Sequence, residues 1–193
     1  MNLVKLPLLE EIRKCDVCAG DLPLGPRPVL SFSSQSGIAI IGQAPGRKVH
    51  ESGIPWDDPS GDRLREWLGV AREEFYDPDN FAIVPMGFCY PGKGKSGDLP
   101  PRPECAPLWH PRIFGGDVAA RLTLLVGSYS QAFYLGDSAG ETLTETVRNY
   151  REFLPEYLPL PHPSPRNNIW MKKNPWFEAE VLSVLKESVR KLL

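Results

Sequence analysis

The sequence predicts an α/β protein in which helices cover both faces of a parallel sheet. Short apolar runs alternate with segments of helical periodicity along most of the chain, which is typical of this class. The β-branched residues bounded by glycines in Gly37–Gly42 indicate a buried central strand. A Gly/Pro-rich turn, Gly42–Gly46, follows that strand directly. We expect the ligand site there, because α/β proteins usually bind ligands at the carboxyl ends of their strands.

The first third of the chain is predicted to contain a short helix, the central strand and a long loop. Pro7–Lys14 opens with proline and has its acids early and its bases late, as a short helix does. A Pro/Gly/Ser-rich connection over Asp21–Ser36 leads to the strand Ile38–Ile41. Arg47–Asp58 shows neither helical nor strand periodicity, so an ordered loop is predicted.

The middle of the chain is predicted to contain a helix, a strand and another long loop. Asp62–Gly69 has apolar residues at helical spacing and a glycine at which the helix ends. Glu73–Tyr76 adds a turn, and Phe81–Met86 is the second strand. The Pro/Gly-rich stretch Gly87–Pro107 is predicted to be a loop, and loops of this length in compact domains are usually functional or tied down.

The carboxyl-terminal part is predicted to hold two strands and three helices. The strands are Leu122–Gly127 and Tyr157–Leu160. The helices are Tyr129–Leu135 closed by Gly136, Thr142–Phe153, and a terminal helix that Asn174 caps before Pro175.

Composition limits the classes of function. A chain of 193 residues can bury a core of its own without disulfides, so one domain over residues 1–193 is expected. The net charge of -2 argues against a protein that coats nucleic acid through charge alone. Any contact with nucleic acid should therefore be focused on a small surface.

Residues 1–7 lack the basic segment, the apolar stretch and the cleavage site of a secretory signal, and no later apolar run reaches membrane-spanning length. We therefore expect a soluble, cytoplasmic protein that does not contact a membrane. In that compartment cysteines are thiols or metal ligands more often than disulfides.

Three short motifs carry a resemblance to a known family. Gly42–Gly46, Cys89–Pro91 and His162–Ser164 resemble the motifs of the uracil-DNA glycosylase superfamily in the same order and at similar separations. The similarity runs from Cys15 to the terminal helix and is greatest to the iron-sulfur-containing branch. Pro163–Asn167 also resembles the single-strand-selective branch.

The resemblance implies a three-layer α/β/α fold around a four-stranded parallel sheet. It also implies a monofunctional enzyme of base excision repair that hydrolyses the N-glycosidic bond of uracil, or of another deaminated base, after the base has flipped out of DNA. The implied partner is single-stranded DNA or a mismatched duplex, and the protein is expected to be a monomer.

His162 is the catalytic residue that the resemblance implies. In the family this histidine donates a hydrogen bond to a carbonyl oxygen of the base as negative charge builds there. A structural histidine in a tight turn is the alternative. Ser164, Arg166 and Asn167 are then expected to contact phosphates or the minor groove, with capping or solvated positions as their alternative.

The first motif must position the attacking water. Some branches have an acidic residue here, whereas this chain has Gln43, and an amide is not a strong general base. Gln43 is therefore expected to position water or base by hydrogen bonds. His50 and Glu51 lie where iron-sulfur relatives carry paired acids; they are candidate helpers or ordinary loop residues. The same turn is expected to border the base through Ala44, Pro45 and Gly46.

Two positions differ from the family pattern. Trp56 replaces a stacking phenylalanine and offers a face for the flipped base, with core packing as the alternative. The asparagine that reads the base after the second strand is missing, and Gly87 and Phe88 are expected to border the base instead. The preferred base therefore stays open. A catalytically weak or inactive module that binds damaged DNA is the alternative function.

The chain has four cysteines, Cys15, Cys18, Cys89 and Cys105. Their spacing resembles that of the cluster ligands in the iron-sulfur branch, and four thiolates would suit a [4Fe-4S] cluster. A structural Zn²⁺ is the second possibility and free thiols are the third. The metal would pin the amino-terminal segment to the loop between Cys89 and Cys105. A metal-sensing function is a further alternative.

Basic residues on that loop are candidates for contact with DNA. Lys93, Lys95 and Arg102 could reach phosphates, although solvated side chains are the commoner outcome.

Overall fold

The structure is a computed structural model that describes residues 7–193. The prediction that the chain begins without a secretory signal concerns residues that lie almost entirely outside this range. The strands in chain order are β1 (Ile38–Ile41), β2 (Phe81–Ile83), β3 (Lys93–Gly94), β4 (Gly97–Asp98), β5 (Leu122–Val126) and β6 (Tyr157–Leu160). The α-helices are α1 (Pro7–Arg13), α2 (Arg47–Ser52), α3 (Pro59–Leu68), α4 (Arg72–Tyr76), α5 (Cys105–Arg112), α6 (Ser128–Leu135), α7 (Leu143–Arg148), α8 (Asn168–Lys173) and α9 (Leu182–Leu192).

Four strands form a parallel sheet in the order β2-β1-β5-β6. The register pairs Ile38 of β1 with Phe81 on one side and with Leu122 on the other. β3 and β4 form a separate antiparallel hairpin. The predicted fold, a four-stranded parallel sheet between two layers of helices, is confirmed.

Alternate residues of β1 point to two different cores. Ile38 and Ile40 belong to the core that is completed by α3 and α9. Ala39 and Ile41 belong to the core that is completed by α1, α5 and α6. All four residues of β1 are fully buried, which explains why the strand is continuously apolar rather than alternating.

The carboxyl ends of the four parallel strands meet at one edge of the sheet. After β1 the chain enters the turn Gly42–Gly46, and after β6 it enters the turn Pro161–Ser164. β1 has its successor β2 on one side and the later strand β5 on the other, so the strand order reverses at β1. A crevice at such a reversal is the usual ligand site of an open α/β sheet.

Several predicted elements are confirmed with small changes of boundary. β1 and β6 have the predicted limits. α3 ends at Gly69, which has the left-handed backbone (φ 71°) that glycine adopts easily. α6 ends at Gly136, whose N–H bonds the carbonyl of Ala132.

The prediction of a loop over Arg47–Asp58 is wrong in its first half. Arg47–Ser52 is α2, which ends at Gly53 with φ 71°. A helix of six residues is too short to show apolar periodicity. An ion pair between Arg47 and Glu51, 2.8 Å apart, lies along its exposed face.

The middle of the chain also differs from the prediction. β2 ends at Ile83 rather than Met86, because Pro85 lacks the N–H that a strand needs. The predicted loop Gly87–Pro107 contains the β3–β4 hairpin and the start of α5. The sequence analysis missed α5 because proline is not expected inside a helix. Pro111 lies in the last turn of α5, just before a π-helical segment, Ile113–Asp117.

The carboxyl-terminal helices are more broken than predicted. α7 ends at Arg148 and a 3₁₀ turn, Tyr150–Glu152, follows it. α8 was not predicted. Asn174 does not cap the last helix, because its side chain donates to the carbonyl of Trp170 and accepts from the indole N–H of Trp176. A π-helical segment then precedes α9. None of the helices within residues 7–193 has the length and apolar character needed to cross a bilayer.

Candidate active site

A pocket with about 430 Å³ of empty space, part of it open to solvent, lies at the carboxyl edge of the sheet. The turn after β1 and the turn after β6 both border it. It brings together the following residues that the sequence nominated: Gln43, Ala44, Pro45, Gly46, Trp56 and His162. Asp58 and Pro85, which the sequence analysis did not nominate, also line it.

The hydrogen bonds of His162 fix its tautomer. The backbone N–H of Ser164 donates to Nδ1 at 3.2 Å, so Nδ1 must be the unprotonated nitrogen of the neutral ring. The proton of that ring is then on Nε2, which has no hydrogen-bond partner within residues 7–193. Asn167 holds the backbone of this turn, because its Nδ2 donates to the carbonyl of His162 at 2.7 Å.

Burial lowers the pKa of His162 below its usual value, and the charge of Asp58 opposes this only in part. The neutral imidazole is therefore the main form at neutral pH. The ring of this pocket-lining residue therefore keeps an N–H donor on Nε2 without carrying a positive charge.

Trp56 lies beside this imidazole. The centroids of the two rings are 5.5 Å apart and their planes are inclined by 34°. Trp56 has φ 56°, a backbone conformation that is unfavourable for a bulky residue and is usually maintained by the surrounding structure at functional sites.

Two glycines make room for Trp56. A Cβ on Gly42 would lie 2.8 Å from Cζ2 of the indole, and a Cβ on Gly61 would lie 1.8 Å from the carbonyl oxygen of Trp56. Any side chain at either position would displace the tryptophan. The indole can therefore occupy its place at the pocket only because Trp56 has this strained backbone and because Gly42 and Gly61 have no side chains.

Asp58 is the N-cap of α3. Its Oδ1 accepts a hydrogen bond from the N–H of Gly61 at 2.9 Å. The sequence analysis missed this residue, although an aspartate directly before Pro59 is a usual signal for the start of a helix. Only the tertiary structure shows that the cap faces the pocket.

The β3–β4 hairpin connects the two turns that form the pocket. Nε2 of Gln43 donates to the carbonyl of Leu99 at 3.4 Å, and Nη1 of Arg166 donates to the carbonyl of Ser96 at 2.8 Å. Lys93 and Lys95 are exposed on the same hairpin. Gln43 and Arg166 thus anchor the hairpin beside the pocket, and two lysines stand out from it.

Gly87 and Phe88 are not among the residues that line the pocket. Phe88 is 1% exposed and stacks on His110, with 5.9 Å between the ring centroids. Pro85 reaches the pocket instead. His110 holds this segment: its Nε2 is 3.0 Å from the carbonyl oxygen of Pro85, and its Nδ1 is 2.7 Å from the hydroxyl of Tyr134.

The structure does not bring His50 and Glu51 to the pocket either. His50 is buried against Tyr90, with 6.1 Å between ring centroids, and its Nδ1 lacks a hydrogen-bond partner among the residues described. Glu51 is exposed and pairs with Arg47.

The four cysteines line one small cavity, which Phe88 also borders. It is bordered by Cys15, Cys18, Cys89 and Cys105. Burial raises the pKa of Cys89 to about 11 and that of Cys105 to about 12, so both are protonated thiols in the metal-free chain. Within residues 7–193 no three His, Cys, Asp or Glu side chains are already close enough together to hold a metal ion.

Two further nominated residues, Ser164 and Arg102, make local contacts that do not line the pocket. Ser164 caps the 3₁₀ turn Pro165–Asn167 by accepting from the N–H of Arg166 at 3.3 Å. Arg102 pairs with Asp21 at 3.0 Å and with Glu104 at 2.8 Å, so its charge is compensated beside the cysteines rather than offered to DNA.

A comparison with protein-family models places this chain among known proteins. The model of the uracil DNA glycosylase superfamily matches residues 31–186. The match covers well over half of the 193 residues and includes both turns that form the pocket. The chain belongs to the uracil DNA glycosylase superfamily.

Proposed function

From this membership we propose that the protein is a monofunctional DNA glycosylase, which hydrolyses the bond between deoxyribose and uracil, or another deaminated base, after the base has left the DNA stack. The observation that carries the proposal is the neutral imidazole of His162, which lines the same pocket as Trp56 and whose Nε2–H has no partner in the described part of the chain. Membership in the superfamily supports glycosylase chemistry in general. The geometry of this pocket supports the particular roles.

His162 would act on the departing base. As the glycosidic bond breaks, negative charge develops on the base, and an N–H aimed at its carbonyl oxygen stabilises that charge. One such donor typically contributes about 10²–10³ in rate. A neutral donor suits this role because it needs no proton transfer, and the Ser164 N–H, which occupies Nδ1, leaves Nε2 as the donor nitrogen.

Trp56 would support the plane of the extruded base. An aromatic face contributes ~1–3 kcal/mol per stacked base and tolerates any base. Uracil is not the only base that the enzyme could release. Pro85 occupies a position where a base-reading amide would be expected, and the amide of Gln43 is hydrogen-bonded to the hairpin. We propose that backbone groups of the turn after β1 read the base edge.

The surface beside the pocket would bind the DNA backbone. Lys93 and Lys95 project from the hairpin and Arg166 lies between the hairpin and the late turn. Ile169 on α8 is 69% exposed, and an exposed apolar residue beside basic residues is suited to insert between bases. Because this basic surface is small and the net charge is -2, we propose that single-stranded or mismatched DNA, in which a base is easily extruded, is preferred.

The cysteine cavity would hold a structural metal centre, as in the iron-sulfur-containing branch. Four soft sulfur donors border one cavity, and this donor set fits a [4Fe-4S] cluster or, second, Zn²⁺. The thiols would have to approach one another and lose their protons, which metal binding drives. When bound, the metal would tie the segment after α1 to the start of α5. Elemental analysis for iron and zinc tests this assignment.

The experiment for the proposed activity is a base-release assay. Oligonucleotides with uracil, hypoxanthine or xanthine are incubated with the protein as single strands, mismatched duplexes and paired duplexes, and alkali then cleaves abasic products. We expect cleavage for at least one base, greatest in single strands or mismatches. No release of any base at an enzyme excess would overturn the proposal.

One observation favours a second candidate, a module that binds damaged DNA without turnover. Gln43 is the residue at the water-positioning point of the first motif, and its amide is engaged with Leu99 rather than free. Binding of uracil-containing DNA that is tighter than binding of undamaged DNA, with no alkali-labile product, would support this candidate.

A further inference from the structure

The proposed reaction needs a group that activates water, and the first motif does not supply one. Hydrolysis requires water to attack the anomeric carbon from the side opposite the departing base. Gln43 and Ala44 cannot accept a proton from that water. His162 cannot serve either, because its Nδ1 is occupied by the Ser164 N–H and its Nε2 already carries a proton.

We infer that Asp58 is the catalytic general base of the proposed hydrolysis. It contributes a carboxylate to the lining of the pocket that also contains His162 and Trp56. Only Oδ1 is used for capping α3, where it accepts from the N–H of Gly61 at 2.9 Å. Oδ2 has no hydrogen-bond partner within residues 7–193, so it is available to a water molecule. This inference rests on the proposed glycosylase function.

The neighbouring acids are committed elsewhere. Asp57 pairs with Arg72 at 2.9 Å, and Asp62 pairs with Arg65. Among the acidic residues of this segment, Asp58 alone lines the pocket. Asp98 on β4 lies next to the pocket-lining Gly46, but it does not itself line the pocket. The structure thus separates one acid that faces the pocket from three that do not.

The helix cap gives the carboxylate a fixed direction. The N–H of Gly61 holds Oδ1, and the extended backbone of Asp58 (φ -154°, ψ 174°) is unstrained. A preoriented base needs little reorganisation when the reaction occurs. A carboxylate at this pocket would also stabilise the positive charge that develops on the sugar as the base departs.

The step balances as follows. The water oxygen forms a bond to the anomeric carbon while the carbon–nitrogen bond breaks, and both electrons of that bond leave with the base. Asp58 takes one proton from the attacking water and later releases it to solvent. The base anion, held by the Nε2–H of His162, takes up a proton from solvent after departure. The products are the free base and an abasic sugar.

Asp58→Asn is the decisive variant because it removes the charge and keeps the cap. Asn and Asp are about equally good N-caps, so α3 should be unaffected. We expect the single-turnover rate of base release to fall by about 10²-fold or more, as is typical for loss of a general base. The melting temperature and the affinity for substrate DNA should change little. Asp98→Asn, which removes the nearby carboxylate that does not line the pocket, should keep the rate within a few-fold.

A second variant separates catalysis from structure. Asp58→Gly removes the side chain at little cost to the cap, since glycine is also accepted at this position. Added formate should then restore part of the rate in Asp58→Gly. It should not do so in Asp58→Asn, where the amide fills the space. A purely structural carboxylate would not be replaced by a diffusible one.

The outcomes are distinct. If the wild type releases base and Asp58→Asn does so at the same rate, the assignment of Asp58 is overturned while the proposed function stands. If Asp58→Asn is slow but formate gives no recovery in a folded Asp58→Gly, the role as base is also overturned. If the wild type releases no base from any substrate, both proposals fail.

Discussion

The imidazole of His162 lies beside the indole of Trp56, with 5.5 Å between the ring centroids. The two residues are far apart in the sequence, and each follows a different strand of the parallel sheet. They meet because the carboxyl ends of β1 and β6 lie on the same edge. A stacking surface and a side chain with an N–H donor therefore border one pocket, and the proposed base excision uses both.

Replacing His162 should reduce catalysis more than binding. In His162→Ala the N–H donor is lost, and we expect the single-turnover rate of base release to fall about 10²–10³-fold. His162→Gln keeps a side-chain N–H and should lose less. Gel-shift affinity for substrate DNA should stay similar in all three proteins. A rate within 3-fold of wild type in His162→Ala would contradict the assigned role.

Adding a methyl group at Gly42 should displace the stacking surface. A Cβ there would lie 2.8 Å from Cζ2 of Trp56, so the indole must move in Gly42→Ala. We expect base release to slow by about 10-fold, because base stacking contributes ~1–3 kcal/mol. Gly115→Ala is the matched control, since no atom lies within 4 Å of a Cβ at that position. Equal rates in the two variants would show that the position of Trp56 does not matter.

Acid should destabilise the protein through His110. Burial lowers the pKa of His110 to about 4 in the folded state, whereas the unfolded chain has the usual value near 6.5. Between these values the unfolded state binds the extra proton, so the free energy of unfolding falls as pH decreases from about 6.5 to about 4. The loss attributable to this residue is roughly 3 kcal/mol.

The control for that prediction is His110→Gln. This variant loses the bond to Tyr134 and should be less stable than wild type at pH 7 by about 1–3 kcal/mol. His110→Gln has no imidazole that titrates at this position. The difference in free energy of unfolding between wild type and this variant should therefore become smaller as the pH falls to about 4. Urea unfolding at several pH values measures the free energy of unfolding of both proteins. A difference between them that does not change with pH would contradict the role of His110 in acid destabilisation.

Removing one cysteine of the proposed metal centre should release the metal and lower the melting temperature. Cys105→Ser tests this, because Cys105 lies at the start of α5 and borders the cavity that the other three cysteines share. Val17→Ser, on an exposed residue between Cys15 and Cys18, is the control and should keep the metal. Wild-type protein that is folded but contains neither iron nor zinc after anaerobic purification would refute the metal centre.

The sequence was sufficient for the elements whose signals are local. β1 is predicted correctly because a strand that is buried on both faces must be apolar at every position. The end of α3 is predicted correctly because its left-handed backbone favours a glycine. α2 and α5 could not be predicted in this way. α2 is too short to show apolar periodicity, and the proline inside α5 argues against a helix there.

By itself the sequence determined the parallel α/β sheet, the two turns with Gln43 and His162, and the set of four cysteines. Only the tertiary structure decided which side chains share the pocket. It placed Asp58 and Pro85 there, kept Phe88 and His50 in the interior, and turned Gln43 to the hairpin. The physical reason is that strand and turn signals depend on neighbouring residues. A pocket instead depends on how distant segments pack, and this depends on close approaches such as those of Gly42 and Gly61 to Trp56.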